Sequence, residues 1–171
     1  MNKESWHRHI GVYGVCLSGK KLMVVKKNGG PYSYRFDLPG GSIEDRESLY
    51  DALVREMKEE TGFNVRVNEQ LGTFDFLVRA PYEKSKYTHH IAIIYSVTVN
   101  GSDAEYIETN IDKGNSKELN DSLGVEFISL NYDLEECSPL VIKIIEMLKL
   151  KESSLFIKEY KDWERRECNK W

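Results

Sequence analysis

Residues Gly41–Phe63 read GSIEDRESLYDALVREMKEETGF, and the second half of this stretch is a helix whose end carries the wrong charge. Leu49, Leu53 and Met57 recur at i, i+4 and i+8, with Tyr50 and Val54 beside them, which predicts a helix from Glu47 to Glu60. Gly62 marks its stop as a left-handed residue just past the last turn. The final turn bears the partial negative charge of the macrodipole, so cations belong there. The sequence instead places Glu56, Glu59 and Glu60 there. With Leu49 at zero and about 100° per residue, Glu60 falls near ~20° and Glu56 near ~−20°, inside and at the edge of the apolar arc.

A solvated, salt-bridged face is the ordinary account of a charge run. Here it leaves two costs. Like charges at i, i+4 destabilise a helix by about 0.2–0.5 kcal/mol, and the dipole adds a similar penalty. A carboxylate among apolar residues is also expensive to keep ionised. Arg55, four residues before Glu59, answers one charge and not three. A divalent cation answers all three. Mg2+ accepts a few carboxylate oxygens, keeps waters and takes further oxygens from substrate phosphates. The preceding Pro39-Gly40-Gly41 turn allows backbone to approach the same place, because glycine permits close contact.

The 171 residues around this helix suit one domain, and 40% hydrophobic with 30% charged residues suits a soluble globular chain. The net charge of −4 offers no global attraction to nucleic acid or anionic membrane. MNKESWHRH at the start lacks the apolar core of a secretory signal, and Ile91–Val99 is too short to span a bilayer. Three scattered cysteines, Cys16, Cys137 and Cys168, read as reduced thiols of a cytoplasmic protein.

His9–Leu17 and Lys21–Lys27 read as strands joined through Ser18-Gly19-Lys20, followed by a loop at Asn28–Pro31. Phe63–Val67, Gly72–Arg79, His90–Val99 and Val125–Leu130 read as further strands, and Pro139–Lys149 as an amphipathic helix. The polar segment 101–123 reads as a long loop. In the tail, Phe156, Tyr160 and Trp163 stand at helical spacing, a stripe that docks on its own domain or, alternatively, on a second copy in a homodimer. Strands before and after a first helix, with a second helix late, predict a mixed α/β domain with helices packed on sheet.

The spacing Gly41-x5-Glu47-x7-Arg55-Glu56-Met57-x-Glu59-Glu60-x-Gly62-Phe63 resembles the Nudix box, Gx5Ex7REUxEExGU, at every defined position. Leu38-Pro39-Gly40 is similar to the family's usual lead-in. The resemblance to MutT-like Nudix hydrolases implies an α/β/α sandwich around a mixed sheet over residues 6–150, with 151–171 as a C-terminal helical extension. It implies Mg2+-dependent hydrolysis of a pyrophosphate bond in a small nucleoside diphosphate linked to another moiety, with Mn2+ as a substitute metal. The candidate substrates are nucleotide sugars, dinucleoside polyphosphates, ADP-ribose and (d)NTPs. A non-catalytic nucleotide sensor of the same fold is the alternative.

Carried over by position, Glu56, Glu59 and Glu60 are the implied metal ligands with the Gly40 carbonyl, and Glu56 is also the favoured general base. Arg55 and Glu47 pair to orient loop and helix, and Gly62 closes the motif. A further acidic ligand is expected from the long loop, where Glu108, Asp112, Glu118 and Asp121 all qualify and Glu118 is preferred. Tyr32, Tyr34, Arg35 and Gly41 are candidates to contact base or phosphate, and one of His89 and His90 is expected to face the site.

Overall fold

In the computed structural model, β1 (Trp6–Val15) begins half exposed and ends with Gly11–Val15 buried on both faces, as a continuous apolar run requires. The structure describes residues 5–79, 85–101, 103–104, 107, 122–150 and 158–164. After β2 (Leu17–Ser18), Gly19 in a left-handed conformation (φ 58°) turns the chain into β3 (Lys21–Lys27). Two short strands follow, β4 (Phe36–Asp37) and β5 (Gly40–Ser42), and then α1 (Leu49–Thr61). Two long strands, β6 (Val65–Arg79) and β7 (Tyr87–Val99), precede β8 (Ser122–Ser129), α2 (Pro139–Leu150) and β9 (Lys158–Glu164).

One mixed sheet has the order β5-β1-β7-β6-β9, with β1 parallel to β7 and β6 parallel to β9. In the second sheet β3 pairs antiparallel with β2, β4 and β8. Successive strand residues point to opposite faces, and the core divides accordingly. Val12, Met23, Val25 and Val97 pack with Leu53 and Met57 of α1, whereas Tyr13, Leu22, Val24 and Ile94 pack with Leu140 and Ile144 of α2. The α/β/α layering is thus written in the alternate residues of shared strands.

α1 is bounded by chemistry legible in the sequence. The Ser48 side chain accepts from the Asp51 amide at its start, and at its end Gly62 (φ 76°) donates its N–H to the Lys58 carbonyl. Its buried face is rotated from the expected arc. Leu49 and Tyr50 are 38% and 54% exposed, while Leu53, Glu56, Met57 and Glu60 are buried. Glu56 and Glu60 therefore sit squarely on the inner face. The Gly40 N–H and the Arg55 side chain, described below, hold them there.

Three other expectations are corrected. The segments 63–67 and 72–79 are not separate strands: β6 is continuous and absorbs the interruption as two register shifts, between Val67 and Glu69 and between Gln70 and Gly72. The tail is not helical where it is described, because Lys158–Glu164 adds β9 to β6 and so covers an otherwise open edge. Of the loop 101–123, Gly101, Asp103, Ala104 and Ile107 are helical, and Ile107 is buried against the α1 layer. Among the described residues no helix is long and apolar enough to cross a membrane.

The rotated face of α1 makes a direct prediction. Leu53→Ala should cost about 2–5 kcal/mol in urea unfolding, whereas Tyr50→Ala should stay within about 0.5 kcal/mol of wild type. Equal losses would contradict the rotation.

Candidate active site

Where β5 passes in front of α1, a cleft of about 850 Å3 opens, lined by Glu56 and Glu60, Gly40 and Gly41, Lys27, Tyr13, His9, Tyr32 and His90. Its acidic end is built by backbone approach. A Cβ on Gly40 (φ 144°) would lie 2.1 Å from the Val12 carbonyl oxygen, and one on Gly41 would lie 2.6 Å from Glu56 Oε2. Only glycine lets the turn come this close. The Gly40 N–H then donates to Glu60 Oε2 at 2.9 Å.

Glu60 is 2% exposed, and the Lys27 ammonium from β3 donates to its other oxygen. Glu56, 8% exposed, accepts from Arg55 Nη1 at 2.8 Å. Burial raises its pKa, against the opposing pull of Arg55. Arg55 makes a two-pronged pair with Glu47, Nε to Oε1 and Nη2 to Oε2, both at 2.8 Å, and Nη2 also donates to the Ser42 carbonyl at 3.0 Å. One guanidinium so ties the loop after β5 to the helix. Its hydrogen bonds hold the Glu47 carboxyl down at about 2.

The structure separates the three carboxylates. Glu56 and Glu60 line the cleft, whereas the Glu59 side chain is 43% exposed and reaches Arg55 Nη1 at 3.3 Å. Tyr34 and Arg35 lie off the cleft lining. Backbone bonds from Lys27 N–H to the Arg35 carbonyl and from Tyr34 N–H to the Lys27 carbonyl close their loop, Tyr34 takes φ 59°, and Arg35 turns to the Glu135 carbonyl. Tyr32 faces the cleft instead. Glu108, Asp112, Glu118 and Asp121 lie outside the described residues.

Two cleft residues carried little signal. Lys27 is one of a pair of lysines ending an apolar strand, and nothing local says which faces inward. For the adjacent histidines, strand alternation decides: His90 is buried in the cleft with Thr88, while His89 points away and pairs with Asp75 at 2.8 Å.

The donor set suits a hard divalent cation: two inward carboxylates, a glycine backbone beside them, and a lysine ammonium standing in as the cation for Glu60. Among the described residues no three acidic, imidazole or thiol side chains cage a metal by themselves. A site completed by water and phosphate oxygens has this form.

The NUDIX domain profile matches residues 6–121. The chain belongs to the NUDIX family. Among curated proteins it is similar to an ADP-ribose pyrophosphatase of Methanocaldococcus jannaschii, 31% identical over 125 residues, covering 73% of this chain and 64% of that protein. It is also similar to a putative 8-oxo-dGTP diphosphatase of Bacillus subtilis, 34% identical over 65 residues, covering 37% of this chain and 42% of the relative. The match spans less than two thirds of the length of either. Among solved structures, a NUDIX hydrolase from Nitrosomonas europaea superposes with a TM-score of 0.63 at 19% identity, over 84% of this chain and 90% of that one. That likeness bears on the fold, and it agrees with the mixed sheet and two helix layers of the NUDIX chain described above.

The imidazoles predict how the fold responds to acid. Burial first, then His7 and Lys27, lower His9 to about 4, below its ordinary 6.5. A depressed pKa contributes stability that is complete above about 6.5 and is lost as pH falls through about 4. Glu47 loses its contribution lower, between its ordinary 4.5 and about 2. Thermal melts of His9→Gln should therefore fall less steeply than wild type between pH about 6.5 and 4, with parallel curves below. Equal slopes in the upper window would contradict the assignment.

Proposed function

We propose that this chain is a divalent-metal-dependent pyrophosphohydrolase acting on a nucleoside diphosphate linked to another moiety, with Mg2+ as the working metal and Mn2+ as a substitute. The observation that carries this reading is the pair of buried carboxylates, Glu56 and Glu60, facing a cleft beside a glycine turn that admits no side chain. Carboxylates kept there at the helix's negative end have a chemical use only with a cation against them.

Glu60, Glu56 and the Gly40 backbone would hold the ion, with Glu59 joining from the outer side if its Arg55 contact opens. When bound, a divalent ion neutralises diphosphate oxygens and acidifies a water for in-line attack at phosphorus. Glu56, as the ionised carboxylate, would take the proton from that water, and burial raises its affinity for it. Lys27, which pairs with Glu60 in the resting site, would turn its ammonium to the phosphates once a divalent ion took its place. Arg55 and Glu47 keep the loop and helix in register, and so act by position.

The Methanocaldococcus relative's name makes ADP-ribose the first substrate to try. The 8-oxo-dGTP diphosphatase name adds damaged dNTPs. The buried Cys16 and Cys137 thiols, raised by burial to about 11 and about 12, suit the reducing cytoplasm we propose as its setting.

A panel of ADP-ribose, nucleotide sugars, dinucleoside polyphosphates and damaged dNTPs should show turnover of at least one substrate. That turnover should vanish in EDTA and return with Mg2+ or Mn2+. Glu56→Gln and Glu60→Gln should each lower kcat/KM about a hundredfold or more, and Glu59→Gln less, as its exposure implies. Nucleotide binding with no turnover anywhere in the panel would replace the enzyme with a sensor of the same fold.

A further inference from the structure

Beside the carboxylates, the cleft lining holds imidazoles and tyrosines that the reaction proposed above does not use. His90 on β7 is 1% exposed and lines the cleft. Its Nδ1 is bonded to the Tyr32 hydroxyl at 2.8 Å, with the two rings stacked at 5.5 Å. Its Nε2 is buried with no hydrogen-bond partner among the described residues. A buried ring nitrogen left unpaired in a polar cleft calls for a group to complete it.

The surroundings say what kind of group. His9 meets His90 edge-on at 4.7 Å, Tyr13 at 5.3 Å and Phe76 at 6.2 Å. Tyr13, Tyr32 and Phe76 are buried, and His9 is the half-buried member of this group. Burial first, then His9, His89 and Lys27, keep the imidazole well below its ordinary pKa and hence neutral. With Nδ1 taken by Tyr32, the one remaining nitrogen, a donor or an acceptor by tautomer, is the complement of a hydroxyl or a base edge.

We propose that His90, held by Tyr32, is a specificity-determining residue whose Nε2 pairs with an uncharged hydrogen-bonding group, a sugar hydroxyl or base edge, on the part of the substrate beyond the diphosphate. This deepens the pyrophosphohydrolase reading by naming what a further residue of the same cleft recognises. The assignment rests on two observations in one place: an unpaired buried nitrogen, and the aromatic rings of His9, Tyr13, Tyr32 and Phe76 packed around the imidazole that carries it.

Two substitutions separate recognition from scaffolding. In His90→Gln the carboxamide reaches the place of Nε2. In His90→Asn it reaches the place of Nδ1 and keeps only the Tyr32 contact. Binding of ADP-ribose and of ADP would be measured by calorimetry in EDTA, at a temperature where both variants match the wild-type circular dichroism. KM and kcat for ADP-ribose would be measured separately with Mg2+. We expect His90→Asn to weaken ADP-ribose binding about tenfold, as loss of one buried hydrogen bond implies. KM should rise with little change in kcat, and His90→Gln should restore most of the affinity.

Weakening of ADP-ribose alone places the group on the terminal ribose, and weakening of ADP as well places it on the adenosine half. Either supports the assignment. Rescue by Asn rather than Gln, unchanged binding in both, or no wild-type binding of either nucleotide would overturn it. Wild-type binding without turnover would overturn the hydrolase reading and leave the role of His90 standing.

Discussion

Glu60 joins three parts of the chain that are far apart in sequence. Its carboxylate, on α1 and almost fully buried, takes the Lys27 ammonium from β3 on one oxygen and the Gly40 N–H from β5 on the other. Removing either partner leaves a buried charge half answered, which is among the more expensive defects a fold can carry. The glycine turn can serve only by coming close, so Gly40 and Gly41 lack side chains that Val12 and Glu56 would exclude. The rotation of α1 belongs to the same constraint. The helix gives its inner face to Glu56 and Glu60 beside Leu53 and Met57, and leaves Leu49 and Tyr50 outside.

Arg55 performs the complementary task one turn earlier. It gathers Glu47, the Ser42 carbonyl and Glu56 around one guanidinium, whose planar fork matches the Glu47 carboxylate. The resting site thus balances its carboxylates with protein cations, Arg55 for Glu56 and Lys27 for Glu60. A divalent ion would have to compete with the lysine, and in doing so would free that ammonium for the phosphates. Glu60→Gln therefore disturbs the fold as well as the chemistry, because it replaces the carboxylate to which Lys27 donates with a neutral amide.

What was legible in the sequence was local. Ser48 and Gly62 bound α1 through cap chemistry that depends on neighbours a few residues away, and the box fixes spacing within a single helix and its lead-in. What was not legible depends on pairing across the chain. β6 absorbs its awkward middle in register shifts against β7, and β9 exists because β6 offers an edge. Tyr32 rather than Tyr34 enters the cleft because backbone bonds between Lys27, Tyr34 and Arg35 set the loop's phase. The strand holding His90 is apolar on both faces, with Ala92 and Ile94 fully buried and Ile91 and Ile93 half-buried, so periodicity could not say which histidine turned inward.

We propose that Glu60 is an electrostatic site for a divalent cation, held meanwhile by Lys27. The most direct measurement is thermal melting of wild type and Glu60→Gln across a Mg2+ titration begun in EDTA, without nucleotide. An ion that binds the folded state alone raises its Tm saturably with concentration. That rise is expected in wild type and should be nearly absent in Glu60→Gln. An equal rise in both proteins, or none in wild type up to millimolar Mg2+, would contradict it.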